Sequence, residues 1–304
     1  MTLQYYTLDV FTSIAFGGNP LAVFVDAEGL SSRLMQQIAK ELNLAETVFI
    51  GQSTAPNRFT VRIFTPAEEI PFAGHPTVGT ALLLNELDLL EKTAGNSNSI
   101  ELVLEQGVGD ITVSIQLATA QNQGPMARFK TAILPKRNYS VLTAESAAEV
   151  LSLTPEQVIE QPYVASCGLP YHIVELRDMT AVSAAKINAT ALDSHLGNQT
   201  LQDIYLFCRG GVNADIRARM FTPTPGVPED PATGSAASAL VGTLAQQQSG
   251  QGVQKLIIEQ GVEMERPSYI HTDVLYEDSV VKAVYVAGQA VLISEGNLRL
   301  PSRY

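Results

Sequence analysis

The sequence predicts a mixed α/β protein of two similar halves, each built mainly of strands around one apolar helix. Three observations carry this. Runs rich in aromatic and β-branched residues outnumber runs with helical periodicity. Each half has one long apolar helical pattern, "PTVGTALLLNELDLL" at 76–90 and "DPATGSAASALVGTLAQQQ" at 230–248. A phrase also recurs. "RIFTP" at 62–66 leads to "HPTVGTA" at 75–81, and "RMFTP" at 219–223 leads to "DPATGSA" at 230–236.

In the first half, "LQYYTLDVF" reads as a strand, "FGGNP" as a turn and "LAVFVDA" as a second strand. "LSSRLMQQIAKELNL" places Leu34, Ile38 and Leu42 on one helical face, with Ser31 or Ser32 as N-cap. "ETVFIGQ" and "RFTVRIFTP" return to strand pattern. The helix after His75 is expected to begin at Pro76, since proline is favoured at the first helical position. "AGNSNS" is a loop, and "IELVLEQGVGDITVSIQL" a hairpin turning at Gly107–Gly109. The polar stretch "TAQNQGP" at 119–125 marks a boundary between domains 1–124 and 125–304, with the last strand free to return to the first.

In the second half, "CGLPYHIVEL" resembles "GGNPLAVFV": a Gly-x-Pro turn entering a strand. "QDIYLFCR" and "DIRARMFTP" are strands, and the helix at 230–248 has proline in its first turn. "KLIIEQGVEM", "YIHTDVLY", "SVVKAVYVAG" and "AVLISEGNLRL" are strands. Aligning the two phrases, with a short gap in the second, sets His75 on Asp230, Pro76 on Pro231, Gly79 on Gly234 and Thr80 on Ser235. We read this as an internal duplication.

Composition narrows the function. At 304 residues and 45% hydrophobic, the chain fills two cores. A net charge of −12 with no basic run argues against nucleic acid. No run of 18 apolar residues suggests a membrane span, and the start lacks a signal-peptide pattern, so a cytoplasmic protein is expected. Two distant cysteines, Cys167 and Cys208, are expected to be reduced and buried. Without CxxC, HExxH, a dinucleotide fingerprint or a Walker motif, neither a metal nor a cofactor is expected.

The repeated phrase has a specific physics. Asp230 suits an N-cap and His75 does not. Both precede small residues at helix starts, where unpaired N–H groups and the dipole favour an anion. Were the halves to pack about a pseudo-twofold axis, both starts would face one cleft, with an imidazole on one wall and a carboxylate on the other. Glu46, in "NLAET" at 43–47, is either a solvated loop carboxylate or, among apolar neighbours, a general base.

These motifs together resemble the phenazine-biosynthesis PhzF-like isomerases. The likeness rests on "DVFTSIAFGGNPLAVF" at 9–24, "NLAETVFI" at 43–50, "RIFTPAEEIPFAGHPTVGTA" at 62–81, "MFTPTPGVPEDPATGSAA" at 220–237 and "GQAVLISEGNLRL" at 288–300. It implies a diaminopimelate-epimerase-like fold: two pseudo-symmetric domains, each a curved, barrel-like sheet around a central helix, with the active site between them. It implies Glu46 as proton shuttle and His75 and Asp230 as its catalytic companions. Gly74 and Ser235, which the resemblance also points to, are expected to hold the substrate together with Gly234 and Thr80. It also implies a small anionic metabolite as partner, a homodimer and, by analogy, isomerisation of trans-2,3-dihydro-3-hydroxyanthranilate.

Three other readings fit the sequence less well. Racemisation by paired thiols fails because neither phrase contains cysteine. A Ser235–His75–Asp230 hydrolase lacks the G-x-S-x-G elbow. A binding protein that kept the fold and lost the chemistry is opposed by the presence of all four side chains. Variable stretches such as "KTAGNSNS" and "AAKINATALDSHLGNQT" are expected to be loops that help choose the substrate.

Overall fold

A computed structural model describes residues 2–92, 98–118, 124–223 and 228–300. The chain divides into two compact units, one formed by 1–130 with 287–304 and the other by 131–286. The stretch 119–123 and most of the "AGNSNS" loop lie outside the described residues.

In the first unit, strands β1 (Thr2–Val10), β2 (Asn19–Phe24), β3 (Glu46–Ala55), β4 (Arg58–Phe64), β5 (Glu69–Ile70), β6 (Ser99–Gln106), β7 (Gly109–Gln116) and β8 (Met126–Lys130) accompany helices α1 (Ser32–Leu42) and α2 (Gly74–Glu86). β1 lies antiparallel between β2 and the C-terminal strand Ala290–Arg299. β2 and β3 are parallel, joined through α1. β4 is antiparallel to β3 and β5 and parallel to β6, reached through α2. Antiparallel β7 and β8 complete the order.

α1 forms as its pattern predicts. The Ser31 hydroxyl accepts from Leu34 N–H, and the helix stops at Asn43 in the left-handed region. Its face of Leu34, Met35, Ile38 and Ala39 packs with Phe24, Phe49 and Phe64 on the outer side of the sheet. α2 differs: every residue from Gly74 to Leu84 is buried. An all-round apolar helix needs cover on all sides, and α2 touches β1, β2, β3, β7, β8 and the C-terminal strand. The sheet therefore curves around it. Gly79 lets it come close: a Cβ there would lie 2.6 Å from Leu21 Cδ2 and 2.7 Å from Val10 Cγ2.

The second unit repeats this plan with additions. Its strands are β9 (Lys136–Tyr139), β10 (Tyr163–Ser166), β11 (Pro170–Glu175), β12 (Ile204–Arg209), β13 (Ile216–Phe221), β14 (Glu229–Asp230), β15 (Gly252–Gln260), β16 (Ser268–Glu277) and β17 (Val280–Gly288). Its helices are α3 (Ala144–Val150), α4 (Met179–Ala184), α5 (Ala189–Leu196) and α6 (Gly234–Gln246). β11 and β12 are parallel, β12 and β13 antiparallel. β13 is antiparallel to β14 and parallel to β15, and β16 follows antiparallel. This is the order of β2, β3, β4, β5, β6 and β7. α6 is the buried central helix and touches β9, β10, β11 and β16.

Helices α3, α4 and α5 escaped the sequence reading. They pack as an outer layer on Ile204, Leu206, Cys208 and Phe221. Their periodicity is too short to show alone, but Thr143, Asp178 and Asn188 cap them in the expected way. The stretch 184–200, expected to be a loop, thus holds α5.

The structure corrects the register of the duplication. Phe64 pairs with Glu69 and Phe221 with Glu229. Arg62 grips Glu69 through two bonds of 2.7 and 2.6 Å, and Arg219 grips Glu229 through bonds of 2.7 and 2.9 Å. A Cβ on Gly107 would strike Pro71, and one on Gly261 would strike Pro231. Each observation matches Glu69 with Glu229 and Pro71 with Pro231, so Gly74 matches Gly234 and His75 matches Ser235. Asp230 matches Ile70. The second copy is longer ahead of this point, 222–228 against 65–68. The match of "HPTVGTA" with "DPATGSA" is therefore out of register. It arose because both segments use small residues around a helix start, and strand pairing decides the true correspondence.

Candidate active site

Glu46 opens β3, in register with Leu21 of β2. Its carboxylate faces His75, the second residue of α2, with Oε2 3.3 Å from Nε2. The helix begins at Gly74, two residues before the expected Pro76. Its N-cap, Ala73, offers no side-chain bond, and Pro76 has no N–H to satisfy. The N–H groups of Gly74 and His75 thus stand at an uncapped helix start, the chemistry that suits an anion.

His75 is 4% exposed. Burial pushes its pKa down to about 3, opposed by a hydrogen bond to the Pro20 backbone. Proline has no N–H, so the acceptor is the Pro20 carbonyl. Nε2 makes no regular hydrogen bond, which leaves Nδ1 as the donor. The neutral ring therefore carries its proton on Nδ1 and turns the Nε2 lone pair toward Glu46. A ring nitrogen with a free lone pair and a carboxylate oxygen thus stand 3.3 Å apart, near enough for a proton to pass between them.

The buried imidazole has a measurable cost. Its folded value lies below the ordinary 6.5, so between about pH 6.5 and 3 the unfolded chain binds a proton that the folded chain refuses. Stability must fall as the pH drops through that window. At about 1.4 kcal/mol per pH unit, the term amounts to roughly 2–3 kcal/mol by pH 4.5. Urea unfolding of His75→Gln at pH 7 and 4.5 should show a smaller acid loss than the parent chain. An equal loss in both would contradict the neutral buried ring.

In the second unit, Asp230 is not an N-cap. It lies on β14, paired with Met220, and Pro231, Ala232 and Thr233 separate it from α6. The Thr233 hydroxyl donates to Asp230 Oδ2 rather than capping the helix. Gln260 Nε2 donates to the Asp230 carbonyl at 2.8 Å and to Thr233 Oγ1 at 3.0 Å. The Tyr205 hydroxyl donates to Gln260 Oε1 at 3.1 Å. Ser235, second in α6, has its hydroxyl 2.7 Å from that of Tyr171. Burial, then the charge of Asp230, pushes the Tyr205 pKa upward and keeps its proton in place. The first unit has a simpler counterpart, in which Gln106 Nε2 donates to Thr77 Oγ1 at 2.9 Å.

Glu46, His75 and Gly74 thus come together in one unit, and Asp230, Gly234 and Ser235 in the other. Thr80 lies further along α2 and is fully buried. The reading missed Tyr171, Tyr205, Thr233 and Gln260. One signal was available: "EQGV" occurs at both 105–108 and 259–262, and its glutamine serves each helix start. Cys208 is buried, but Cys167 is only half-buried, a partial correction. Burial raises both thiols to about 11, far from a reactive thiolate. Among the described residues no group of three or more His, Cys, Asp or Glu could hold a metal ion, and no helix is long and apolar enough to cross a membrane.

A curved sheet around a central buried helix, built twice along the chain, defines a class: the diaminopimelate-epimerase-like fold. Comparison with known proteins agrees. A probable proline racemase from Agrobacterium radiobacter shares the fold, with a TM-score of 0.64 at 11% identity over 99% of this chain and 94% of that one. A PhzF-family phenazine biosynthesis protein from Bacillus anthracis superposes with a TM-score of 0.87 at 24% identity, over 99% of this chain and all of that one. The trans-2,3-dihydro-3-hydroxyanthranilate isomerase of Pseudomonas chlororaphis is 33% identical, over 98% of this chain and 99% of its own. Residues 8–296 match the PhzC-PhzF family, described as phenazine biosynthesis-like protein, and the chain belongs to it. It is an isomerase.

Proposed function

We propose that the chain moves a proton between carbons of a small carboxylate-bearing metabolite, and that trans-2,3-dihydro-3-hydroxyanthranilate is the first substrate to try. Glu46 takes the proton from one carbon and returns it to another. His75 and Asp230 orient the substrate and assist proton movement. Ser235, Thr80 and the backbone at Gly74 and Gly234 serve the anionic group. The observation that carries this reading is the 3.3 Å approach of Glu46 Oε2 to the neutral Nε2 of His75. Such a pair can pass a proton without a change of net charge in a buried setting. The reading accounts for both uncapped helix starts, which otherwise leave helix donors without a side-chain acceptor.

Proton NMR in deuterated water tests it. Incubation with trans-2,3-dihydro-3-hydroxyanthranilate should give an isomer with solvent deuterium, at least in part, at the newly protonated carbon. Binding without turnover or exchange would sink the catalytic reading and leave a binding protein on an isomerase fold.

A further inference from the structure

The corrected duplication carries its own control. Ile63 and Met220 correspond. Val48 pairs with Ile63 and Tyr205 with Met220, so Val48 corresponds to Tyr205. The N-caps Ala73 and Thr233 correspond. So do Ile70 and Asp230, and the glutamines of the two "EQGV" strings, Gln106 and Gln260. Both units keep the glutamine, but only the second has Asp230, Thr233 and Tyr205. In the first unit Gln106 Nε2 donates to Thr77 Oγ1 at 2.9 Å, and its Oε1, although buried, has no hydrogen-bond partner among the described residues. The tyrosine and the threonine are present in the unit that has the carboxylate and absent from the other.

The directions of the bonds joining them are forced. Gln260 and Tyr205 are fully buried. The backbone N–H of Thr233 lies 3.2 Å from one end of the Gln260 amide and can only donate, so that end is Oε1. The Asp230 carbonyl lies 2.8 Å from the other end and can only accept, so that end is Nε2. The Tyr205 hydroxyl, 3.1 Å from Oε1, must then donate. Nε2 gives its second proton to Thr233 Oγ1 at 3.0 Å. The hydroxyl proton of Thr233 goes on to Asp230 Oδ2. Three side chains thus aim their donors in one direction, ending on one carboxylate oxygen. A threonine at an N-cap ordinarily accepts from the first turn of its helix. Thr233 makes no such bond, so its hydroxyl serves the carboxylate instead of the helix.

We propose that Tyr205, Gln260 and Thr233 are positioning residues that act through Asp230, locking its carboxylate in one orientation for the substrate with Oδ2 committed to the chain. This rests on the isomerase reading above and adds the residues that make Asp230 effective in it. A reacting group must be held close to its productive geometry by buried neighbours. The charge-assisted bond from Thr233 is worth roughly 10- to 100-fold, and the neutral bond from Tyr205, one step further back, roughly 2- to 10-fold.

The test compares Thr233→Val, which keeps the shape and removes the hydroxyl, with Thr233→Ser, which restores it, and with Tyr205→Phe. Carbon-13 relaxation of the full chain, labelled at aspartate Cβ, reads the order of the Asp230 side chain without any substrate; loss of a signal in Asp230→Asn assigns it. Order should fall in Thr233→Val, hold in Thr233→Ser and fall less in Tyr205→Phe. With trans-2,3-dihydro-3-hydroxyanthranilate, Thr233→Val should lower kcat roughly 10- to 100-fold and Tyr205→Phe roughly 2- to 10-fold, with KM nearly unchanged. Thr233→Ser should stay near the parent. Thr233→Val combined with Asp230→Asn should be no slower than Asp230→Asn alone, because the threonine has nothing left to position. Unchanged Asp230 order in Thr233→Val overturns the proposal whatever the turnover. So does lost order at the parent kcat, a Thr233→Ser as slow as Thr233→Val, a double variant showing both losses in full, or an Asp230→Asn that keeps the parent rate. Lost order in Thr233→Val, with a parent chain that neither turns over nor exchanges, upholds the lock and defeats the isomerase reading.

Discussion

Glu46→Gln is expected to lower turnover by about 10²–10⁴-fold, the usual contribution of a positioned general base. The amide keeps the volume and can still donate to Nε2 of His75. It cannot accept a proton from carbon. Ligand binding should therefore survive, and the loss should fall on kcat rather than KM. Deuterium incorporation should slow with turnover. Asp230→Asn is a weaker probe, because Thr233 donates to this carboxylate and Gln260 to its backbone carbonyl. Its effect would mix chemistry with a disturbed helix approach. A Glu46→Gln enzyme that turns over and exchanges at the parent rate would mean that the base lies elsewhere.

The largest expected loss of stability comes from Arg217→Ala. Arg217 is 7% exposed, and it bridges Glu259, 4% exposed, and Glu263, 13% exposed. Ser183 also donates to Glu263 at 2.7 Å, and Tyr269 to Glu259 at 3.3 Å. Removing the guanidinium strands two carboxylates, one of them deep in the interior. Breaking a buried pair in this way costs about 3–5 kcal/mol. Equilibrium urea unfolding should show the loss directly. A combined Arg217→Met and Glu259→Leu variant should recover much of it, since apolar replacements of buried ion groups are often neutral or stabilising. Acid adds a further check. Burial raises Glu263, but bonds from Arg217 and Ser183 outweigh it, and its pKa lies below the usual 4.5. A depressed carboxylate contributes above its unfolded value and loses that contribution as pH falls. The gap between parent and variant should therefore narrow below about pH 4.5. An unchanged gap would assign the loss to packing instead of charge.

Much of the molecule was readable from local chemistry. Ser31 caps α1, and Leu34 and Ile38 lie on the buried face that their spacing predicts. The hairpin turns where its glycines stand. The ordered motifs identified the family, and Glu46 and His75, which the resemblance singles out, lie 3.3 Å apart. These features depend on residues a few positions apart, or on strings long enough to be distinctive.

Other features waited for tertiary structure. The duplication was visible, but its register was not. Small residues and a proline occur near both helix starts, so the short strings align in more than one way. The Arg62–Glu69 and Arg219–Glu229 forks and the strand pairings choose among those ways. That choice moved Asp230 off the helix cap and made Ser235 the counterpart of His75. It also brought Tyr171, Tyr205 and Gln260 to α6 from distant strands. The physical reason is the same throughout. Caps, turns and periodic faces are local and leave a local trace in the sequence. Strand register and buried polar partners are decided by hydrogen bonds between residues far apart in the chain, which no single stretch records.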